Sequence, residues 1–100
     1  MTYYTVVYNH CNGAEYREDK YEFKCTEVVC PTIELAREYI AKYCVPEYED
    51  EEDAQIKWVE VDTKGRFDEI RRFERENPIC SSWIETEWYT IETTKAYEGE

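Results

Sequence analysis

The chain has few of the residues from which catalytic motifs are usually built. It contains three glycines, a single histidine (His10) and two serines (Ser81 and Ser82). Three glycines are too few for the glycine-rich loop that holds a nucleotide phosphate. The sequence shows no pattern typical of a serine–histidine–carboxylate triad. We therefore expect no catalytic residues and a protein that is not an enzyme.

Long apolar segments are also missing. No stretch approaches the roughly 20 apolar residues that a membrane-spanning helix needs. The start of the chain, from Met1 to Val7, lacks the basic and apolar regions of a secretory signal. We therefore expect a cytoplasmic protein with no membrane partner. In that reducing compartment its five cysteines are expected to be free thiols.

Metal-binding patterns are weak. Cys25 and Cys30 have a spacing found among zinc ligands, and His10 and Cys11 could approach them across a hairpin, but a second ligand pair has no motif. The acidic run described below lacks the glycine that an EF-hand calcium loop requires. We expect no cofactor and no metal, and keep a cysteine-based metal or redox protein as an alternative.

What the chain has in excess is acidic residues and tyrosine. Twenty-four Asp and Glu against twelve Lys and Arg give a formal net charge of −12, and ten residues are tyrosine. Hydrophobic residues make up 42%, close to the usual share in globular proteins. A length of 100 residues predicts one domain, 1–100.

The first third of the chain predicts a hairpin followed by a helix. Thr2–Asn9 alternates like a strand, and Asn12-Gly13 favours a two-residue turn into a second strand within 14–29. A helix begins after Thr32 as N-cap and ends before Pro46. Its buried face is expected to carry four residues at helical spacing, Ile33, Ala36, Ile40 and Tyr43.

The remainder predicts a third strand over 56–62 and a long final strand over Trp83–Thr94. Phe67–Glu76 is predicted as a second helix, with a strand as the alternative. The final strand has apolar groups on both faces, which indicates either a central strand or an aromatic binding face. The predicted fold is α+β, with element order ββαβαβ and a mostly antiparallel four-stranded sheet with two helices packed on one side.

The negative charge is concentrated after Pro46. From Glu47 onward there are seventeen acidic and seven basic residues, against seven and five before that point. In the run Glu47–Asp53, six of seven residues are acidic. Carboxylates on alternate residues of a strand share one face, so an array of them can present a field like that of a nucleic-acid backbone. With tyrosine and tryptophan as anchors, the predicted partner-binding residues are Glu47, Tyr48, Glu49, Asp50, Glu51, Glu52, Asp53, Glu85, Glu87, Trp88 and Tyr89.

These features favour a non-enzymatic binding protein that occludes a basic nucleic-acid-binding surface of another protein. Direct binding of nucleic acid is not expected, because phosphates would repel so acidic a chain. In size, acidity and lack of motifs, the whole chain resembles small phage-encoded inhibitors of the anti-CRISPR and anti-restriction kinds. The alternative within the binding class is a small accessory or regulatory protein-interaction domain, whose acidity serves solubility.

Overall fold

The structure, a computed structural model of the chain, describes residues 1–13, 21–48, 51, 53–63, 69–77 and 83–97. Over these residues it has five strands, one α-helix and one short 3₁₀ helix. The elements are β1 (Thr2–Asn12), β2 (Tyr21–Cys30), α1 (Ile33–Tyr43), a 3₁₀ turn (Asp53–Gln55), β3 (Val59–Val61), β4 (Glu69–Glu76) and β5 (Ile84–Lys95). No helix in this described part is long and apolar enough to cross a membrane.

The strands form one antiparallel sheet in the order β2-β1-β5-β4-β3. The longest pairing joins β1 to β5 and runs from Thr2 opposite Lys95 to Asn12 opposite Glu85. The predicted α+β class and the antiparallel sheet are confirmed. The predicted four strands and two helices are corrected to five strands and one α-helix. The final strand is central, as one of the two alternatives proposed.

The second helix predicted over Phe67–Glu76 is wrong, because Glu69–Glu76 is strand β4. In the sheet, Arg71, Phe73 and Arg75 lie opposite β5. Both faces of β4 carry more charged than apolar residues. This hides the alternation of apolar and polar residues by which a strand is recognised. The partners on β5 are distant in sequence, so local spacing could not identify them.

The tight turn predicted at Asn12-Gly13 is also wrong. Asn12 still belongs to β1 and lies opposite Tyr21, so residues 13–20 connect the two strands. Gly13 has φ of 110°, which only glycine adopts easily. Its N–H donates to the carbonyl oxygen of Ile84 at 3.0 Å, which ties this end of β1 to β5. Residues 14–20 lie outside the described part of the chain.

Helix α1 begins and ends as predicted. The Thr32 hydroxyl accepts a hydrogen bond from the Leu35 N–H at 3.2 Å, which is an N-cap contact. Glu38 and Lys42 form an ion pair at 2.7 Å one turn apart. Of the face predicted to be buried, Ala36 and Ile40 are buried and Ile33 is half-buried.

The fourth residue of that predicted face is a correction, since Tyr43 is 67% exposed. Tyr43 is the last residue of α1, and the buried Cys44 follows it as the C-cap residue. The helix ends there, so no following turn covers the ring.

The core lies between α1 and one face of the sheet, which we call the helix face. Ala36 and Ile40 pack there against buried residues from four strands. These residues are Val6 of β1, Cys30 of β2, Phe73 of β4 and Tyr89 of β5. Tyr4, Tyr8 and Tyr39 pack around the same cluster. Part of the tyrosine surplus therefore fills the core, where large rings bury the most area.

Replacing Ile40 by alanine should destabilise the fold by about 2–5 kcal/mol, because a buried aliphatic chain is lost and a cavity remains. Ile40 is 1% exposed. The matched control is Leu35→Ala on the same helix, where the side chain is 45% exposed and the expected cost is below about 1 kcal/mol. Urea unfolding measures both values. Equal costs for the two variants would contradict the packing described.

Candidate functional site

A group of polar side chains lies on the helix face where β1 and β5 pair. His10 is directly opposite Glu87, and Tyr8 is two residues along β1. The Tyr8 hydroxyl donates to Glu87 Oε1 at 2.6 Å, and His10 Nδ1 lies 3.3 Å from the same carboxylate oxygen. The Tyr8 oxygen and His10 Nδ1 are also 3.3 Å apart. The Glu87 carboxylate therefore contacts both Tyr8 and His10.

A second carboxylate joins this group to β4. Arg75 Nε donates to Glu85 Oε2 at 2.7 Å, and His10 Nε2 lies 3.8 Å from Glu85 Oε1. Arg75, Glu85 and Glu87 are each 8% exposed. Buried charges are stable only when paired and hydrogen-bonded. We call Tyr8, His10, Arg75, Glu85 and Glu87 the polar cluster.

The polar cluster also anchors the segment that follows α1. The Arg75 guanidinium carbon lies 4.5 Å from the centre of the Trp58 ring and 6.0 Å from that of Tyr48. Arg75 Nη1 donates to the carbonyl oxygen of Ile56 at 3.2 Å. The Trp58 N–H donates to the Tyr48 hydroxyl at 3.0 Å. One buried cation therefore holds both ends of the stretch between residues 48 and 58.

The predicted partner-binding residues fall into three groups. Glu47, Tyr48 and Glu51 are exposed. Glu49, Asp50, Glu52 and the side chain of Asp53 lie outside the described part of the chain. The remaining four are on β5, which is the central strand.

On β5 the predicted residues do not join the acidic run at the surface. Glu85 and Glu87 share one face, as expected, but that face is turned into the protein. Tyr89 is buried in the core. Trp88 is half-buried on the opposite face, with the Arg72 guanidinium carbon 5.3 Å from its ring centre. Sequence reasoning missed Tyr8, His10 and Arg75 as the partners of these carboxylates.

Further exposed carboxylates lie on and just after β3, at one edge of the sheet. The hydrogen bond between Tyr48 and Trp58 brings Tyr48 and its neighbour Glu47 to this edge, because Trp58 immediately precedes β3. Glu60 receives two hydrogen bonds from Arg71, at 3.0 and 3.1 Å. We call this surface the acidic edge, and in the described part of the chain it comprises Glu47, Glu51, Glu60 and Asp62, all exposed.

Most of the Lys and Arg side chains in the described residues form ion pairs within the chain. Five of them lie within 3.2 Å of a carboxylate oxygen of the same chain. The pairs are Lys24–Glu92, Lys42–Glu38, Arg71–Glu60, Arg72–Glu74 and Arg75–Glu85. Since acidic residues outnumber basic ones two to one, the surface left over is acidic.

The face of the sheet opposite α1 carries a shallow pocket of about 200 Å³. Trp88, Asn9, Lys24 and Glu22 are among its lining residues. The Asn9 amide is used within the sheet, where it donates to the carbonyl oxygens of Val7 and Trp88 at 3.3 and 3.4 Å. Phe23 and His10 also line the pocket, so it is bordered by two aromatic side chains and an imidazole.

The cysteines do not assemble a metal or redox centre in the part of the chain that is described. Cys11, Cys25, Cys30 and Cys44 are thiols rather than disulfides, and Cys80 lies outside the described residues. His10 and Cys11 point to opposite faces, as expected for neighbours on a strand. Among the described residues, no group of three or more His, Cys, Asp or Glu is arranged to hold a metal ion.

Comparisons of the chain with protein-family models, with curated proteins and with solved structures found no match. The function is therefore argued from the geometry and charge of the molecule.

Replacing Arg75 by methionine should cost about 3–5 kcal/mol, because it leaves the Glu85 carboxylate buried without its cation. Replacing both residues, as Arg75→Met with Glu85→Met, should recover much of this loss, since no uncompensated charge remains. Urea unfolding of the two single variants and the double variant measures the coupling. Additive losses would show that the two side chains do not stabilise each other.

Stability should fall at alkaline pH. Burial raises the pKa of the Cys44 thiol from 9.0 to about 11. Burial, together with the Glu87 carboxylate, also raises the pKa of Tyr8 and Tyr89. The folded state holds these protons more tightly than the unfolded state. The stabilisation from Cys44 is therefore complete below about pH 9 and is lost as pH rises through about 11. The stabilisation from Tyr8 and Tyr89 begins to fall above about pH 10.

Urea unfolding at a series of pH values checks this expectation. The Tyr8→Phe variant removes one of the titrating hydroxyls, so its stability should fall less steeply over the same range. A free energy of unfolding that stays constant through this range, or an unchanged slope in the variant, would contradict the assignment.

Proposed function

We propose that the chain is a non-enzymatic binding protein whose acidic edge occludes a basic, nucleic-acid-binding surface of another protein. One observation carries this proposal. The buried Arg75 lies against Tyr48 and bonds the carbonyl oxygen of Ile56, while Glu47 and Glu51 are exposed. The described residues on either side of the acidic run are therefore attached to the sheet.

Anchoring matters because a flexible run of like charges binds at a large cost in conformational entropy. Here Tyr48 and Trp58 are joined by a hydrogen bond and both lie against Arg75. These two residues are only ten positions apart in the sequence, on either side of the acidic residues 49–53. A restricted array loses less freedom when a partner binds.

Charge supports the choice of partner. A net charge of −12 attracts cationic surfaces and repels nucleic acid itself. Surfaces that grip nucleic acid carry Lys and Arg placed to neutralise phosphates, and closely spaced carboxylates can satisfy them in the same way. Binding of this kind is fast at low salt and weakens as salt is added.

The first test captures partners on the immobilised protein from a nuclease-treated bacterial lysate and identifies them by mass spectrometry. We expect nucleic-acid-binding proteins to be enriched, and to be released by salt and by an excess of duplex DNA. Their affinity, measured with one purified partner, should fall by on the order of tenfold between about 50 and 200 mM salt.

A pair of matched variants then locates the surface. Glu47→Gln with Glu51→Gln removes two charges from the acidic edge, and Glu27→Gln with Glu34→Gln removes two exposed charges elsewhere. The first variant should weaken binding of the purified partner and the second should not. Binding that resists salt and is equal in both variants would instead support the accessory interaction domain.

A further inference from the structure

Strand β2 forms the edge of the sheet opposite the acidic edge. This strand is ten residues long, and in the described part of the chain it pairs only with β1. An edge strand presents main-chain N–H and C=O groups on its outer side, to which another strand can add. The opposite edge, β3, has only three residues.

Helix α1 places an exposed apolar stripe beside this edge. Leu35, Tyr39 and Tyr43 follow one another at intervals of four residues, so they lie on the same side of the helix. Leu35 is 45% and Tyr43 is 67% exposed, and the rings of Tyr39 and Tyr43 are 5.3 Å apart. We call these three residues the tyrosine stripe.

The tyrosine stripe starts next to the end of β2, because only two residues separate Cys30 from the first residue of α1. Tyr39 packs against the core cluster that includes Cys30. Burial raises the pKa of Tyr39, and the Glu27 carboxylate of β2 raises it further. Phe23 of β2, which is 47% exposed, lies 6.1 Å from Tyr8 and extends the apolar surface.

The charges around this surface favour a cationic occupant. Glu27 and Glu34 are exposed there. Lys24 and Lys42 are paired with Glu92 and Glu38. The one other cation of β2 and α1 is the exposed Arg37, against three remaining carboxylates, Glu22, Glu27 and Glu34. A second copy of the chain would bring another net charge of −12 to the same edge, so like charges oppose self-association.

Two features of β2 disfavour its pairing with the β2 strand of a second copy. The β1–β2 register shifts where Val6 lies opposite Val28 and Val7 lies opposite Thr26, which leaves Glu27 as the extra residue of a β-bulge. A bulge and a charge on an edge strand both discourage pairing between identical edges. The negative charge of Glu27, unlike the bulge, distinguishes between partners, because it repels an acidic strand and attracts a basic one.

We propose that β2 accepts an extended cationic peptide segment as an added strand, with apolar side chains against the tyrosine stripe and basic side chains near Glu27 and Glu34. Main-chain hydrogen bonds would supply the affinity, and alternate side chains the specificity. The proposal does not depend on the acidic edge, which lies across the sheet.

The probe is a fluorescent synthetic peptide of alternating lysine and valine, about nine residues long to match a strand. Fluorescence anisotropy should show binding of this peptide and not of its glutamate–valine counterpart. A third peptide, N-methylated at alternate residues, cannot donate hydrogen bonds along one side, and it should bind about tenfold or more weakly. Hydrogen exchange should slow at β2 amides when the lysine–valine peptide is bound.

Variants separate this surface from general attraction to acid. Leu35→Ala with Tyr43→Ala should weaken the lysine–valine peptide by on the order of tenfold, and Glu27→Gln with Glu34→Gln should weaken it as well. Glu47→Gln with Glu51→Gln removes the same charge and should leave binding unchanged.

Three results would overturn the proposal. The N-methylated peptide could bind as tightly as its parent, which would mean attraction without strand addition. Binding could be lost in the Glu47 and Glu51 variant alone, which would move the site to the acidic edge. Light scattering could show that the protein dimerises with β2 amides protected, which would make a second copy the occupant. Salt-sensitive capture of partners at the acidic edge tests the proposed function separately.

Discussion

The buried ion pair between Arg75 and Glu85 is the contact on which the rest of the arrangement depends. It joins β4 to β5, and through Glu85 it reaches His10 on β1. The same guanidinium lies against Trp58 and bonds the Ile56 carbonyl, so it also holds the segment between helix and sheet edge. Burying these charges is tolerable only because each has several partners. One side chain therefore links three strands of the sheet to Ile56 and Trp58.

Scarcity of positive charge shapes the remainder of the molecule. The chain has half as many basic as acidic residues. Arg71, Arg72 and Arg75 of β4 each pair with a carboxylate of the same chain. Two of these pairs, Arg71–Glu60 and Arg75–Glu85, join β4 to its neighbouring strands. Cations used in such pairs are no longer available to screen the exterior. The negative field is thus a consequence of how the fold is held together as well as of composition.

Local signals in the sequence were enough for the helix and for most of the sheet. Thr32 as N-cap and the helical spacing of the apolar residues predicted α1, and alternation predicted β1. The strand over 69–76 was missed because its faces are mainly charged, and its pairing with β5 is not visible locally. The burial of Glu85 and Glu87 was missed for the same reason, since the side chains that compensate them come from distant parts of the chain.

The two edges of the sheet are unequal, and this limits what can assemble on them. The three residues of β3 offer too short a template for a further strand, while β2 offers ten. Any growth of the sheet by strand addition is therefore one-sided. A strand added there would cover the longer of the two edges of the described sheet and leave the shorter one unchanged.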